Sequence, residues 1–212
     1  PPQSVCVRHP DRPTGLACSR CGRPACPQCL QPAAVGQHCV DCVREGNKNV
    51  RTAQTVAGAP VARSASTPLT YALIAVNVIV YAITVVQSGD PMNNTSGSAL
   101  ARSWTLNSLL VSDGDVFRLI GSGFVHYGPI HLLVNMFALY IIGRDVELVL
   151  GRTRYLVVYF LSLLGGSASV MLLENPLALT VGASGAVFGL LGAQAVILLR
   201  LKRSPAPILI VI

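Results

Sequence analysis

The sequence predicts an all-α, polytopic transmembrane helical bundle preceded by a small cysteine-rich domain. Three observations carry that prediction. Of 212 residues, 51% are hydrophobic and only 12% charged, with a mean hydropathy of +0.55; an average soluble domain is about 25% charged. The remaining charges are clustered and leave four long windows free of Asp, Glu, Lys and Arg. All seven cysteines lie between Cys6 and Cys42. This composition excludes disorder, a coiled coil and an ordinary cytosolic enzyme for the bulk of the chain. The formal net charge of +7 points to basic loops of a membrane protein rather than to a nucleic-acid binder. The chain opens on Pro1-Pro2 and closes inside the apolar run from Ile208 to Ile212. It therefore reads as a C-terminally truncated fragment.

Residues 1–47 form the first expected domain. Their spacing is Cys6-x2-His9, Cys18-x2-Cys21, Cys26-x2-Cys29 and Cys39-x2-Cys42, four successive ligand pairs. Eight N and S donors complete two tetrahedral structural zinc sites, with thiolates suited to zinc. The competing reading, a disulfide framework, is disfavoured by the odd cysteine count and by a cytoplasmic position. About 40 residues cannot bury a sufficient core, so the metal supplies the folding energy. The order of pairs resembles the B-box type of cross-brace zinc finger. That resemblance implies one site from Cys6, His9, Cys26 and Cys29 and a second from Cys18, Cys21, Cys39 and Cys42. His38 in place of Cys39 is disfavoured, because the Cys39-x2-Cys42 pair is intact. Neither site keeps an open position, so both are structural. Arg20 and Arg23 have no basic stripe with interleaved aromatics around them, so a cytoplasmic protein partner is expected and nucleic acid is not.

Residues 48–68, rich in Ala, Thr, Ser, Val and Pro without periodicity, read as a flexible linker. Beyond them the charge-free windows run over 64–89, 119–143, 155–173 and 175–199. About 20 apolar residues span a bilayer core, which places transmembrane helices near 69–87, 122–142, 155–173 and 184–199. A fifth begins near Pro207. Arg51 and Arg63 precede the first helix, Arg144, Arg152 and Arg154 follow the second, and Arg200, Lys202 and Arg203 follow the fourth. The positive-inside rule then puts the N-terminus in the cytoplasm and the 88–118 and 174–183 loops outside. A multi-pass protein of the plasma membrane is expected, with the lipid bilayer as its solvent.

Polar residues at membrane depth are functional candidates. The second predicted helix holds His126, His131 and Asn135, the last two sharing a face at i and i+4. An interhelical hydrogen bond and a catalytic role account for this pair equally well. The fourth begins Val181-Gly182-Ala183-Ser184-Gly185. A serine among small residues at a helix start combines a nucleophile with unpaired N–H donors for an oxyanion. Gly185-x3-Gly189 also suits close helix packing. At 1.5 Å per residue, His131 and Ser184 stand about 20 and about 24 Å from the inner boundary, a similar depth.

Asp115-Val116-Phe117-Arg118, His126-x4-His131-x3-Asn135, Gly143-x3-Glu147 and Gly182-Ala183-Ser184-Gly185 follow the order of the rhomboid intramembrane serine proteases, which residues 69–212 resemble. A zinc-finger front end resembles actinobacterial members. The resemblance implies Ser184 as nucleophile, with His131, Asn135 and the Ser184 N–H around the oxyanion and Gly182 as part of that site. It implies a structural Arg118 in the first outer loop and a structural helix end at Gly143 and Glu147, where Glu147 has Arg144 or Arg152 as expected partner. His126 is expected at the rim. The family's base is a histidine on its sixth helix, and no histidine follows His131 here. The expected activity of the full-length protein is cleavage of transmembrane client proteins without a catalytic cofactor, and the fragment alone is expected to be inactive. The alternative is a catalytically inactive rhomboid-like binding protein.

Overall fold

The computed structural model describes residues 4–48, 50, 53–61 and 66–206. The chain divides into two compact units, residues 1–52 and 53–212.

In the first unit two short hairpins and one helix carry the cysteines. Strand β1 (Val5–Cys6) pairs antiparallel with β2 (His9–Pro13), setting Cys6 opposite His9. Strand β3 (Leu30–Pro32) pairs with β4 (Gln37–Cys39), and α1 (Val40–Lys48) follows directly. Among the described residues the buried core consists of Cys6, Cys18, Cys26, Cys29, Cys39 and Cys42 with only Ala25 and Leu30 beside them. So little hydrocarbon cannot offset the chain entropy of ordering the unit.

The second unit is helical. Helix α2 (Pro68–Ser88) starts on a proline at its first position and stops at Gly89, whose φ of 71° closes the last turn. The short helices α3 (Asn94–Gly97), α4 (Ala99–Trp104), α5 (Ser108–Ser112) and α6 (Arg118–Gly121) fold the next loop into a structured layer. Helix α7 (Gly128–Ala138) passes through a π-helical turn (Leu139–Gly143) into α8 (Arg144–Leu150). After Gly151 come α9 (Arg152–Leu173) and α10 (Ser184–Arg200).

Helices α2 and α9 are long and apolar enough to cross a membrane, and α10 is a shorter apolar helix. Their outward faces are apolar as well: Val76, Ile79 and Ile83 on α2 and Ile130, Leu133 and Phe137 on α7 are exposed. Contiguous apolar surface of this kind suits hydrocarbon rather than water as the surrounding medium. The inner core joins Leu139, Val146, Tyr155, Tyr159, Leu163 and Leu190 from four helical segments.

Two expectations change. The window 119–143 is not one helix over 122–142. A 3-10 turn (Ser122–Phe124) and non-helical residues 125–127 precede α7, because Gly128 has a φ of 68° and Pro129 follows it. His126 therefore lies before the helix. At the other end the helix runs on past Arg144 to Leu150, with the Arg144 guanidinium 4.8 Å over the Tyr140 ring. Glu147 pairs with neither Arg144 nor Arg152. Its buried carboxylate accepts the Leu69 N–H at 3.1 Å, the Thr70 N–H at 2.8 Å and the Thr70 hydroxyl at 2.8 Å. The two N–H groups are otherwise orphan donors at the start of α2. The fifth helix expected from Pro207 lies outside the described residues.

Within the stretch 48–68, residues 53–61 form a small turn with Gln54 bridged to Pro60. Thr55 Oγ1 donates to the Val149 carbonyl at 2.6 Å, and Arg154 donates to the Ala57 carbonyl. Ala59 is buried, and a Cβ on Gly151 would sit 3.3 Å from its methyl group. The turn is thus fixed to the α8–α9 junction.

Candidate active site and metal centres

The cysteines and His9 form two groups. Cys6, His9, Cys26 and Cys29 make one, and Cys18, Cys21, Cys39 and Cys42 the other, with the ligand atoms of each group within 4.8 Å of one another. These are pairs one and three and pairs two and four of the sequence spacing. A disulfide needs sulfurs about 2.05 Å apart; all seven cysteines are free, and Cys21 and Cys39 stand 3.8 Å apart. Zinc bonds of about 2.3 Å to sulfur and about 2.05 Å to nitrogen give tetrahedral edges of about 3.8 Å (S···S) and about 3.6 Å (S···N). The observed edges from His9 Nδ1 are 3.8 Å to Cys6, 3.5 Å to Cys26 and 3.3 Å to Cys29. Each group is a closed four-donor set that can hold a tetrahedral metal ion.

The electrostatics agree. Burial and the adjacent Cys26 and Cys6 sulfurs push the Cys29 thiol up, and the Cys21 thiol beside it pushes Cys42 up. Crowded sulfurs, three beside His9 in one group and four in the other, resist shared deprotonation until a cation sits among them. Around the all-cysteine group Arg23 donates to Cys21 Sγ at 3.4 Å, and the Cys39 N–H donates to Cys18 Sγ at 3.2 Å. Such contacts orient thiolate ligands and soften their charge.

The second candidate centre lies where the segment 180–183 enters α10. Leu106 and Thr180 exchange two backbone hydrogen bonds of 3.0 Å, and the Gly182 N–H donates to the Ser122 carbonyl at 2.9 Å. The Ala183 N–H donates to His126 Nε2 at 3.5 Å. Ser184 is the first residue of α10, follows the buried cap residue Ala183 and is exposed. Its Oγ has no hydrogen-bond partner among the described residues. The first N–H groups of the helix lack intrahelical acceptors.

His131 meets this segment from α7. Gly182 has a φ of 123°, and a Cβ built on it would lie 2.7 Å from His131 Cε1 and 2.8 Å from Nε2. Glycine is therefore required twice here, for backbone conformation and for space. The Tyr127 N–H donates to His131 Nδ1 at 3.3 Å. Assigned from that bond, the neutral ring carries its proton on Nε2, the atom that faces Gly182. Asn135, one turn further along α7, is buried and donates to the His131 carbonyl at 2.9 Å. Its amide reaches toward the helix start, as the backward tilt of helical side chains implies. His126 is fully buried, its ring centroid 5.0 Å from that of His131. A cavity of about 130 Å³ beside Ser184 is lined also by Ser122, Gly166, Gly182, Gly185 and Phe188.

Residues 113–211 match the rhomboid domain family. In that segment the chain is similar to the rhomboid family. It is 31% identical over 136 residues to rhomboid protease GluP of Bacillus subtilis, an alignment covering 64% of this chain and 25% of that protein. It is 38% identical over 85 residues to the putative rhomboid protease YdcA of the same organism, covering 40% and 43%. To RHOMBOID-like protein 5 of Arabidopsis thaliana it is 41% identical over 96 residues, covering 45% and 31%. The chain thus spans between a quarter and less than half of the length of these relatives.

The scaffold of the helical unit explains how the serine is held. Helices α9 and α10 cross with backbone against backbone: a Cβ on Gly166 would be 2.9 Å from Gly185 Cα, and one on Gly189 would overlap Ser162 Oγ. The small residues around Ser184 therefore serve packing at the same time. Arg118 is buried, bonded to Asp115 at 2.7 Å and donating to the Arg102 and Thr105 carbonyls at 2.8 and 2.7 Å. It ties α4 to α6, with Trp104 and Phe117 stacked edge to face at 5.4 Å. Two contributors were not legible in the sequence, Ser122 and Asn94. Ser122 acts through its backbone carbonyl, which any residue has. Asn94 stands in a polar run of the loop, where nothing in the local pattern distinguishes it.

Proposed function

We propose that this chain is part of an intramembrane serine endopeptidase that cuts transmembrane segments of client proteins. Ser184 is the nucleophile. The observation that supports the reading is the junction of Gly182 and His131, two residues before an exposed serine at the start of α10; the donors we assign to the oxyanion are the His131 Nε2–H and the unpaired N–H groups of that helix. In the reaction Ser184 Oγ bonds to the scissile carbonyl carbon, and its proton passes to a base. His131, Asn135 and the Ser184 N–H receive the oxyanion. The C–N bond breaks as the base returns its proton to the amine, and water then releases the acyl group. The lone pairs of the two nearby histidines are occupied, His131 Nδ1 by the Tyr127 N–H and His126 Nε2 by the Ala183 N–H. Neither is free to take the Ser184 proton. A histidine on a downstream helix of the full-length protein, as the family resemblance implies, is the proposed base.

The N-terminal unit holds two structural zinc ions, one on Cys6, His9, Cys26 and Cys29 and one on Cys18, Cys21, Cys39 and Cys42. It contacts a cytoplasmic protein partner, and the rhomboid unit lies in the plasma membrane with the N-terminus inside. The test of the catalytic reading is labelling of the full-length protein by a serine-reactive fluorophosphonate in detergent. Wild type is expected to label and Ser184→Ala to lose the label; label that persists in Ser184→Ala refutes the assignment.

A further inference from the structure

We propose that Asn94 is a positioning residue that sets which nitrogen of His131 carries the proton. The inference rests on the reading of His131 as an oxyanion donor. Asn94 starts α3 and is fully buried. Its Nδ2 donates to Thr84 Oγ1 at 2.6 Å and to the His126 carbonyl at 3.0 Å, while its Oδ1 accepts the Gly128 N–H at 3.0 Å. The last two bonds flank Tyr127 and hold its peptide from both sides. Held so, the Tyr127 N–H points at His131 Nδ1, 3.3 Å away. With that lone pair occupied, the neutral imidazole keeps its hydrogen on Nε2, the atom 2.8 Å from the position of a Cβ on Gly182. Released, Tyr127 turns away and the ring admits the other tautomer. A lone pair then faces the site where a donor is needed, and it repels a developing oxyanion.

The experiment uses full-length protein with ¹⁵N-labelled histidine, reading the two ring nitrogens of His131 by long-range proton–nitrogen correlation, together with the fluorophosphonate labelling rate. Wild type is expected to show one form, protonated at Nε2. Asn94→Ala is expected to lose that single form and to label about tenfold or more slowly. Thr84→Val removes one partner of Asn94, leaves both loop bonds, and is expected to keep the wild-type pattern. Tyr127→Pro, read against Tyr127→Ala, tests the same link without touching Asn94: both lose the ring stacked on His131 and the hydroxyl bond to the Leu179 carbonyl, the φ of −77° at Tyr127 suits proline, and only the proline lacks the N–H. An unchanged His131 pattern in a folded Asn94→Ala or Tyr127→Pro protein overturns the proposal, as does a wild-type His131 protonated at Nδ1. Wild type that shows the Nε2–H form but never labels at Ser184 counts against the proposed function and leaves the Asn94 clamp standing.

Discussion

Replacing Glu147 by Gln separates two accounts of the same carboxylate. In the structure Glu147 caps α2, accepting three hydrogen bonds from Leu69 and Thr70 while only 3% exposed. The amide of Gln keeps the shape but offers one oxygen, so an NH₂ group faces at least one of the three donors. Losing a hydrogen bond to a charged acceptor costs about 1.5–3 kcal/mol, and a buried donor left unsatisfied costs about 1–3 kcal/mol. The lost negative charge at a helix start adds roughly 0.3–1 kcal/mol. These overlap, so a total near 3 kcal/mol is expected. At about 2–4 °C per kcal/mol for a unit of this size, the Tm of the detergent-solubilised protein falls by roughly 10 °C. Thr70→Val removes the hydroxyl donor together with its 3.2 Å bond to the Tyr155 hydroxyl, keeps both N–H bonds, and should cost about 1–2 kcal/mol. Arg144→Ala and Arg152→Ala should leave the effect of Glu147→Gln unchanged in double-mutant cycles. A drop of under about 3 °C for Glu147→Gln, or strong coupling to either arginine, refutes the capping account.

Three further outcomes are expected. Gly182→Ala should lower fluorophosphonate labelling at least about a hundredfold, since the new methyl displaces the His131 ring by nearly 1 Å and misplacement on that scale carries such a penalty; near-wild-type labelling contradicts the contact. Gly166→Ala should destabilise the rhomboid unit by about 2 kcal/mol or more in thermal unfolding, because the contact is backbone to backbone and only helix separation relieves it; a neutral variant contradicts the crossing. Metal analysis of the reduced protein should return about two zinc ions per chain, falling to about one in Cys42→Ser; a value near zero in folded protein removes the metal reading.

Much of the fold was legible because the bilayer imposes a simple rule, length without charge. That rule finds α2, α9 and α10 to within a few residues. It fails over 119–143, where absence of charge says nothing about backbone: Gly128 and Pro129 decide where α7 begins, and the apolar residues before them fold as loop and turn. It fails again at Arg144, because a charge ends a membrane span without ending a helix. In the site, the spacing of His131 and Asn135 and the run from Gly182 to Ser184 were readable, as local patterns are. The metal donors were readable too, but their pairing came from resemblance, since four equal spacings do not say which pairs meet. Asn94 acts on His126 and Gly128, Ser122 on Gly182, and Glu147 on Leu69 and Thr70, partners 32 to 78 residues away. Contacts over such separations leave no trace in a single sequence.

The π-helical turn at Leu139–Gly143 separates two tasks on one rod. His131, on the stretch before it, meets Gly182, and Glu147, on the stretch after it, caps the start of α2. A wider turn uses one residue more than an α-turn, and each residue advances an α-helix by about 100°. Wound as an unbroken α-helix, the same residues would swing the Glu147 cap about a quarter turn away from α2 while His131 stayed in place, and deleting one residue from the turn would cancel that rotation. The extra residue thus acts as a phase shift, letting one helix serve two azimuths that an unbroken winding would not bring together.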